Sequence, residues 1–319
     1  LPGARSELAY GSNGVENRWW YPRSFVAPDG RVFGLTGSVM YFLDPQGDGA
    51  IEIAGEFSGE NYGLTSTAVM FAPGRILQVG GGGFGANDDG LTEPVGANAA
   101  SVIDINSGTP VVTAASPMRY RRHWATSTVL PDGRVLLTGG SRSNNVLQGV
   151  ANVAEIWDPS TDSWTQGASG FIARLYHSTA LLLPDGRVLV AGGGAPGPLT
   201  NLNAEIYHPP YLYSGEQPVS TRPIINEAPA VLDIGADFQA VVGPNDQIAR
   251  VTLIKTGSVT HSFNMDQRFI ELSFSQTGNG LTIAAPASRT LATPGYYMLF
   301  AIDATGTPSK GHILTVNPS

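Results

Sequence analysis

One unit recurs four times along this chain: an apolar strand, a tight turn of the Pro-Asp-Gly-Arg type, a second apolar strand, and a glycine corner. The copies read SFVAPDGRVFGLTG (24–37), AVMFAPGRILQVGGGG (68–83), STVLPDGRVLLTGG (127–140) and ALLLPDGRVLVAGGG (180–194). Pro presets φ and Gly supplies positive φ, so Pro-Asp-Gly between apolar runs dictates an antiparallel hairpin. The first copy keeps a single corner glycine in Thr36-Gly37-Ser38, and the second has Ala-Pro-Gly in place of Pro-Asp-Gly. After three of the corners a third strand follows, in ASVIDINSG, AEIWDPSTDSW and AEIYHPPYLY. No long run places apolar residues at helical spacing. The chain is expected to be all-β.

Low charge (14% of residues) with 40 Gly and 23 Pro suits many short strands joined by tight turns. A length of 319 residues leaves room for two domains, each burying its own core. A repeat period of roughly 45–60 residues fits four-stranded propeller blades, none able to bury its faces alone. The Ala-Glu-Ile-Trp-Asp-Pro-x-Thr-x-x-Trp form resembles a kelch repeat. Kelch-type rings close with roughly six or seven blades. This chain carries about four, so a missing or separate segment is expected to complete the ring. A start at Leu1 rather than Met adds to that expectation, and residues 1–20 supply at most one isolated strand. From about Arg222 the glycine corner disappears and seven short strand signals follow, from AVLDIG to HILTVNP. That pattern reads as an immunoglobulin-like β-sandwich. The expected division is a kelch-type β-propeller portion, 1–218, followed by the sandwich, 219–319.

A net charge of −8 argues against nucleic acid, and the cluster Arg119, Arg121 and Arg122 is too short for a binding tract. No apolar stretch reaches the roughly 18 residues of a membrane span. With no cysteine there are no disulfides, which says little about compartment. Asn-x-Ser/Thr sites are absent, Asn317 being followed by Pro318. The runs Gly80–Gly85 and Gly192–Gly197 match G-x-G-x-x-G but open no helix, so they read as blade corners rather than phosphate loops. Asn87-Asp88-Asp89-Gly90 lacks the rest of a calcium loop and reads as a solvated turn. Phe84 and its loop are candidates for shaping a substrate cleft.

Two polar islands interrupt the apolar pattern. Tyr176-His177 stands just before an inner strand, and His261 lies at a polar tip between two apolar runs. Two imidazoles and a phenol are N and O donors that suit Cu(II) in a tetragonal site. Successive strand residues point to opposite faces, so Tyr176 and His177 reach one metal only at a strand start or bulge. His208 and His312 read as structural. His123-Trp124 stands at the same point of its blade as Tyr176-His177, where core packing is the simpler reading.

The runs Tyr-His-Ser-x-x-Leu-Leu-Leu-Pro-Asp-Gly-Arg, Thr-His-Ser-Phe-Asn-Met-Asp-Gln-Arg and Pro-Gly-Tyr-Tyr-Met-Leu-Phe resemble the galactose oxidase and glyoxal oxidase family of copper radical oxidases. The resemblance covers nearly the whole chain, most strongly from Arg119 onward, and places residues 1–218 among the later blades of a ring. It implies that a sandwich hairpin reaches through the propeller core to deliver one histidine to copper. His177 and His261 would be equatorial ligands. Tyr176 would be the axial ligand and the general base that takes the alcohol proton. The implied reaction is two-electron oxidation of a primary alcohol or aldehyde, carbohydrates included, with O2 reduced to H2O2. A secreted or cell-surface location is implied as well. The family's radical cofactor is a tyrosine cross-linked to a cysteine, which a cysteine-free chain does not contain. That half of the site is implied on earlier blades, in an N-terminal fragment or a second chain. Tyr21 in RWWYPRSF resembles the family's Arg-Trp-Tyr motif, but the following PDGRVFGLTGSVMYFLDP reads as a later blade, which argues against a site role. The rival reading is a non-catalytic kelch and sandwich binding module that keeps remnants of a copper site. A copper-binding protein without turnover is a third.

Overall fold

Each strand–turn–strand repeat closes into an up-and-down antiparallel sheet in the computed structural model, which describes residues 1–4, 21–59, 63, 65–82 and 95–317. The first unit is β1 (Arg23–Val26), β2 (Val32–Thr36), β3 (Val39–Asp44) and β4 (Ala50–Glu56). The second is β5 (Thr67–Ala72), β6 (Arg75–Val79), β7 (Ala100–Asp104) and β8 (Val111–Ala115). The third is β9 (Thr126–Val129), β10 (Val135–Thr138), β11 (Val153–Asp158) and β12 (Ser163–Ser169). The fourth has three strands, β13 (Ser178–Leu182), β14 (Val188–Gly192) and β15 (Ala204–Tyr207). Inner strands such as β9 are buried throughout, whereas the outermost β4 and β12 are largely exposed.

The turn motif explains itself in these units. Asp29, Asp132 and Asp185 each accept from the guanidinium two residues on, at 2.8, 2.7 and 2.7 Å. The same carboxylates take that arginine's backbone N–H at 3.0–3.1 Å, so Asp and Arg lock the hairpin end together.

After a short hairpin of β16 (Tyr213–Ser214) and β17 (Gln217–Pro218) comes the sandwich. One sheet is ordered β18 (Ile225–Glu227), β20 (Asp237–Val242), β24 (Gly280–Ala284), β23 (Phe274–Thr277). The other runs β19 (Val231–Leu232), β26 (His312–Val316), β25 (Gly295–Asp303), β21 (Ile248–Lys255), β22 (Phe263–Leu272). Leu253, Ile283, Tyr297 and Leu314 lie in the core between them.

The second sheet does not stop at β22. The first half of this strand leaves the sandwich and runs parallel to β5, pairing Phe263 with Ala68 and Arg268 with Met70. A nine-stranded sheet therefore spans the sandwich and the second unit. Inside the hub, the Gln267 amide bonds both backbone groups of Val129, accepting from N–H at 2.8 Å and donating to C=O at 3.1 Å. Asn264 Nδ2 donates to the Ser127 carbonyl at 3.3 Å.

Buried arginines fasten the corners. Arg122 pairs with Glu155 at 2.8 Å, both side chains essentially solvent-free, and also donates to the carbonyls of Gly139, Ala151 and Val153. Burial holds the Arg122 pKa below its ordinary value, although the Glu155 charge opposes the shift. Arg174 and Glu205 repeat the pairing one unit on at 3.0 Å, where the carboxylate is 24% exposed. Glu155→Leu leaves a buried charge without its counter-ion and is expected to cost about 3–5 kcal/mol. Glu205→Leu is expected to cost less, because water reaches that site. Urea unfolding of both variants checks the order, and equal losses would contradict it.

Candidate metal centre

Three residues occupy one position of the repeat. Tyr21, Trp124 and His177 each lie seven residues before the turn proline of their unit: Pro28, Pro131 and Pro184. All three adopt left-handed backbone, with φ of 52°, 58° and 65°. Bulky residues rarely sit there, and such a conformation costs roughly 1–3 kcal/mol when the surroundings impose it. The left-handed step breaks strand alternation just before β13. Consecutive Tyr176 and His177 therefore stack on each other, with ring centroids 3.8 Å apart and planes 27° apart. The corner glycine makes room for this lead-in, since a Cβ on Gly193 would stand 2.9 Å from the Leu175 nitrogen.

His261 arrives by a different device. Thr260 and Phe263 exchange backbone hydrogen bonds at 3.2 and 2.8 Å, and the two residues between them have φ of 49° and 69°. Positive φ at both central positions marks a type I′ hairpin turn, for which Asn-Gly is the usual sequence. Here His261-Ser262 fills it, at the tip of the strand that enters the hub.

The two devices bring four rings together. His177 Nε2 and His261 Nε2 are 2.9 Å apart. The Tyr176 and Tyr21 hydroxyls share a hydrogen bond of 2.7 Å. Tyr21 stacks on His261 at 4.7 Å between centroids, and Tyr176 lies 5.5 Å from the same ring. Tyr21 thus stands inside the cluster, contrary to the expectation drawn from the strand pattern that follows it. A later-blade sequence does not exclude a hub position, because the lead-in of every unit points to the hub. Arg23 fixes its backbone: the buried guanidinium donates to the Tyr21 carbonyl at 3.2 Å and to the Ser66 carbonyl at 2.6 Å. Burial pulls the Arg23 pKa down to about 9.

The far nitrogens of both imidazoles are engaged. His177 Nδ1 lies 2.7 Å from the Ala195 carbonyl, which only accepts, so Nδ1 carries the proton and Nε2 the lone pair. His261 Nδ1 is 2.6 Å from Thr260 Oγ1. The proton between the two Nε2 atoms then belongs to His261. Partial burial, and secondarily the proximity of His177, hold the His261 pKa below the ordinary histidine value, which favours the neutral ring. Histidines oriented through one nitrogen, with the other facing a shared space, are arranged as metal ligands are. Two imidazoles and two phenols form an N2O2 donor set that fits Cu(II). Among the described residues no group of three His, Cys, Asp or Glu side chains is placed to hold a metal, so a metal here would need the phenols as ligands.

The other candidates lie elsewhere. His123 is buried, bonded to Thr65 Oγ1 at 2.7 Å and packed on Gly82 and Gly96. His208 contacts the Tyr213 hydroxyl at 3.3 Å, and His312 pairs with Leu299 in the sandwich. Phe84, Asn87–Gly90 and Arg18–Trp20 lie outside the described residues.

The family model described as galactose oxidase-like, early set domain matches residues 222–316. A fungal alcohol oxidase of the AA5 family, solved in complex with copper, superposes with a TM-score of 0.84 at 28% identity, over 93% of this chain and 63% of that one. The protein therefore has an all-β, galactose oxidase-like fold. Galactose oxidase of Gibberella zeae is 32% identical over 90% of this chain and 43% of its own length. Aldehyde oxidase GLOX of Vitis pseudoreticulata is 28% identical over 93% of this chain and 62% of its own. The chain is a homologue of galactose oxidase and the glyoxal and aldehyde oxidases, and it spans about half the length of these relatives.

The phenol pair can be tested without metal. Tyr21→Phe and Tyr176→Phe each remove the shared hydrogen bond, so the double variant should lose less than the two single losses combined. The expected coupling is about 0.5–1.5 kcal/mol from urea unfolding. Additive losses would show that the hydroxyls do not interact.

Proposed function

We propose that this chain is the copper-binding, C-terminal part of a copper radical oxidase that converts a primary alcohol or aldehyde with O2 into the oxidised product and H2O2. The observation that carries the reading is the convergence of Tyr21, Tyr176, His177 and His261 around the facing Nε2 atoms. The similarity to galactose oxidase and aldehyde oxidase supports the reaction class. In this reading residues 1–218 are propeller blades of a larger ring, residues 219–319 are the sandwich, and the protein acts outside the cell.

His177 and His261 would hold the metal through Nε2, and Tyr176 and Tyr21 through their phenol oxygens. Bound copper would supply a one-electron acceptor and an electrophilic seat for the alcohol oxygen. Tyr176 would have to give up its hydroxyl proton on binding the metal, and as a phenolate it would be the base that receives the alcohol proton, becoming a phenol again. Ala195 holds His177 in the tautomer that ligation needs, and His261 would pass its Nε2 proton to Nδ1, where Thr260 Oγ1 is placed to accept it. Oxidising an alcohol removes two electrons and two protons, and O2 takes up both pairs as H2O2. Tyr21, through its likeness to the Arg-Trp-Tyr motif, is the phenol assigned to the second electron. A thioether on it requires a cysteine, which residues 1–319 do not provide. The cross-link partner in this reading comes from outside these residues.

Copper titration followed by electron paramagnetic resonance tests the proposal. One Cu(II) per chain is expected, with binding lost in His177→Ala and in His261→Ala. Residues 1–319 loaded with copper are expected to form no H2O2 from alcohols. Copper binding that survives both substitutions would favour a scaffold with incidental metal affinity. Peroxide formation by the isolated chain would refute the need for an external cysteine.

A further inference from the structure

Trp124 occupies the repeat position shared by Tyr21 and His177, yet its side chain offers no metal-ligating atom. It is buried, with 2% exposure, and is held in left-handed backbone at φ 58°. Filling space does not require that conformation, since a Leu or Met in extended backbone packs at lower cost. The strained geometry aims the indole at the two phenols. Its ring lies 4.5 Å from Tyr176 between centroids, tilted by 57°, and meets Tyr21 edge-on at 6.1 Å and 87°. Such pairs hold a preferred angle as well as burying area.

The far side of the ring is anchored. The indole N–H donates to Asn144 Oδ1, and Asn144 is itself buried and left-handed at φ 67°. The Asn144 carbonyl in turn accepts from Ser141 Oγ, and Ser141 is bridged to the residue beside Trp124. The Trp124 backbone N–H donates to the Thr65 carbonyl at 3.0 Å. The loop after the third glycine corner is thus tied through one indole to both hydroxylated rings. His261 also touches both phenols, but as a candidate ligand it answers to the metal. Trp124 has its own independent anchor.

We propose that Trp124, anchored by Asn144, is the positioning residue that holds the Tyr176 and Tyr21 hydroxyls at their mutual hydrogen-bonding distance. The catalytic consequence rests on the copper oxidase reading, whereas the positioning itself exists without metal. The test is tetranitromethane nitration of the metal-free chain, read at each tyrosine by peptide mass spectrometry. Trp124→Leu is expected to raise nitration at Tyr176 and Tyr21 by about two- to tenfold, the range an aromatic pair contributes. Trp124→Phe, which keeps a ring, should restore most of the protection, and Asn144→Leu should fall between. Tyr211 and Tyr297, buried at 7% and 0% exposure away from the cluster, are the internal controls and should not change. Unchanged rates at Tyr176 and Tyr21, or a parallel rise at the controls, would overturn the proposal. If Trp124→Leu does not fold, Asn144→Leu decides it by the same criteria. In the copper-loaded chain, the visible phenolate-to-copper absorption should weaken in Trp124→Leu and persist in Trp124→Phe. Failure of the unsubstituted chain to take up copper would sink the functional reading and leave the nitration result standing.

Discussion

The hub of this molecule depends on one strand from the sandwich supplying hydrogen-bond partners to inner strands of the repeat units. Inner strands that meet at an axis carry backbone groups that must be paired once water is excluded. β22 answers that requirement three ways. It pairs directly with β5, its Gln267 amide satisfies both backbone groups of Val129, and Asn264 reaches Ser127. Because these bonds fix its register, they also fix the height of the turn at its tip, and therefore of His261. A one-residue slip would reverse every side chain of β22 between its two faces and break the Gln267 pairing. Structural and functional demands thus fall on the same strand.

The fold was open to sequence reasoning because its signal is local and repeated. The Pro-Asp-Gly-Arg turns announce hairpins by themselves, and the Asp-to-Arg bonds within them show why those two residue types recur. The site was only partly open. Tyr176, His177 and His261 stand out as polar residues in apolar surroundings, and the structure gathers all three. Their geometry was hidden, because it comes from left-handed residues that sequence does not mark. His261-Ser262 forms a turn without the Asn-Gly signature, and the lead-ins place Tyr, Trp and His where glycine would be easiest. The strand pattern after Tyr21 reads as a later blade and hides its hub position. Counting back from the turn proline, rather than judging the strand that follows, is the signal that finds it. The merger of the sandwich sheet with the second unit had no local marker, being a long-range parallel pairing of Phe263 with Ala68.

Strain of this kind is concentrated where the chemistry would occur. Of the seven non-glycine residues with positive φ among the described residues, four, Tyr21, Trp124, His177 and His261, lie in one aromatic cluster. Each left-handed conformation opposes folding, so the surroundings must over-determine it. They do so by different means: Arg23 holds the Tyr21 carbonyl, Asn144 the Trp124 indole, Ala195 the His177 ring and Thr260 the His261 ring. A cluster that served only to fill the hub would have no use for four separate anchors. Anchors of this number suit preorganisation, which the proposed copper site would require.

The second unit supplies the contrast that makes the pattern informative. Its turn is the aberrant Ala-Pro-Gly, and the residue seven positions before Pro73 is Ser66. Ser66 is buried and turns its hydroxyl to the Gly63 carbonyl at 2.9 Å, while its own carbonyl receives Arg23. A small residue here leaves space for the Arg23 guanidinium, which lies 4.5 Å from the centre of the Phe263 ring. That contact links the tip end of β22 to the residue that secures Tyr21. One repeat position therefore holds four different side chains: Tyr21 and His177 in the ring cluster, Trp124 packed against both phenols, and Ser66 as the seat for the buried Arg23. The symmetry of the repeat builds the hub, and departures from that symmetry at one position per unit give the hub its chemistry.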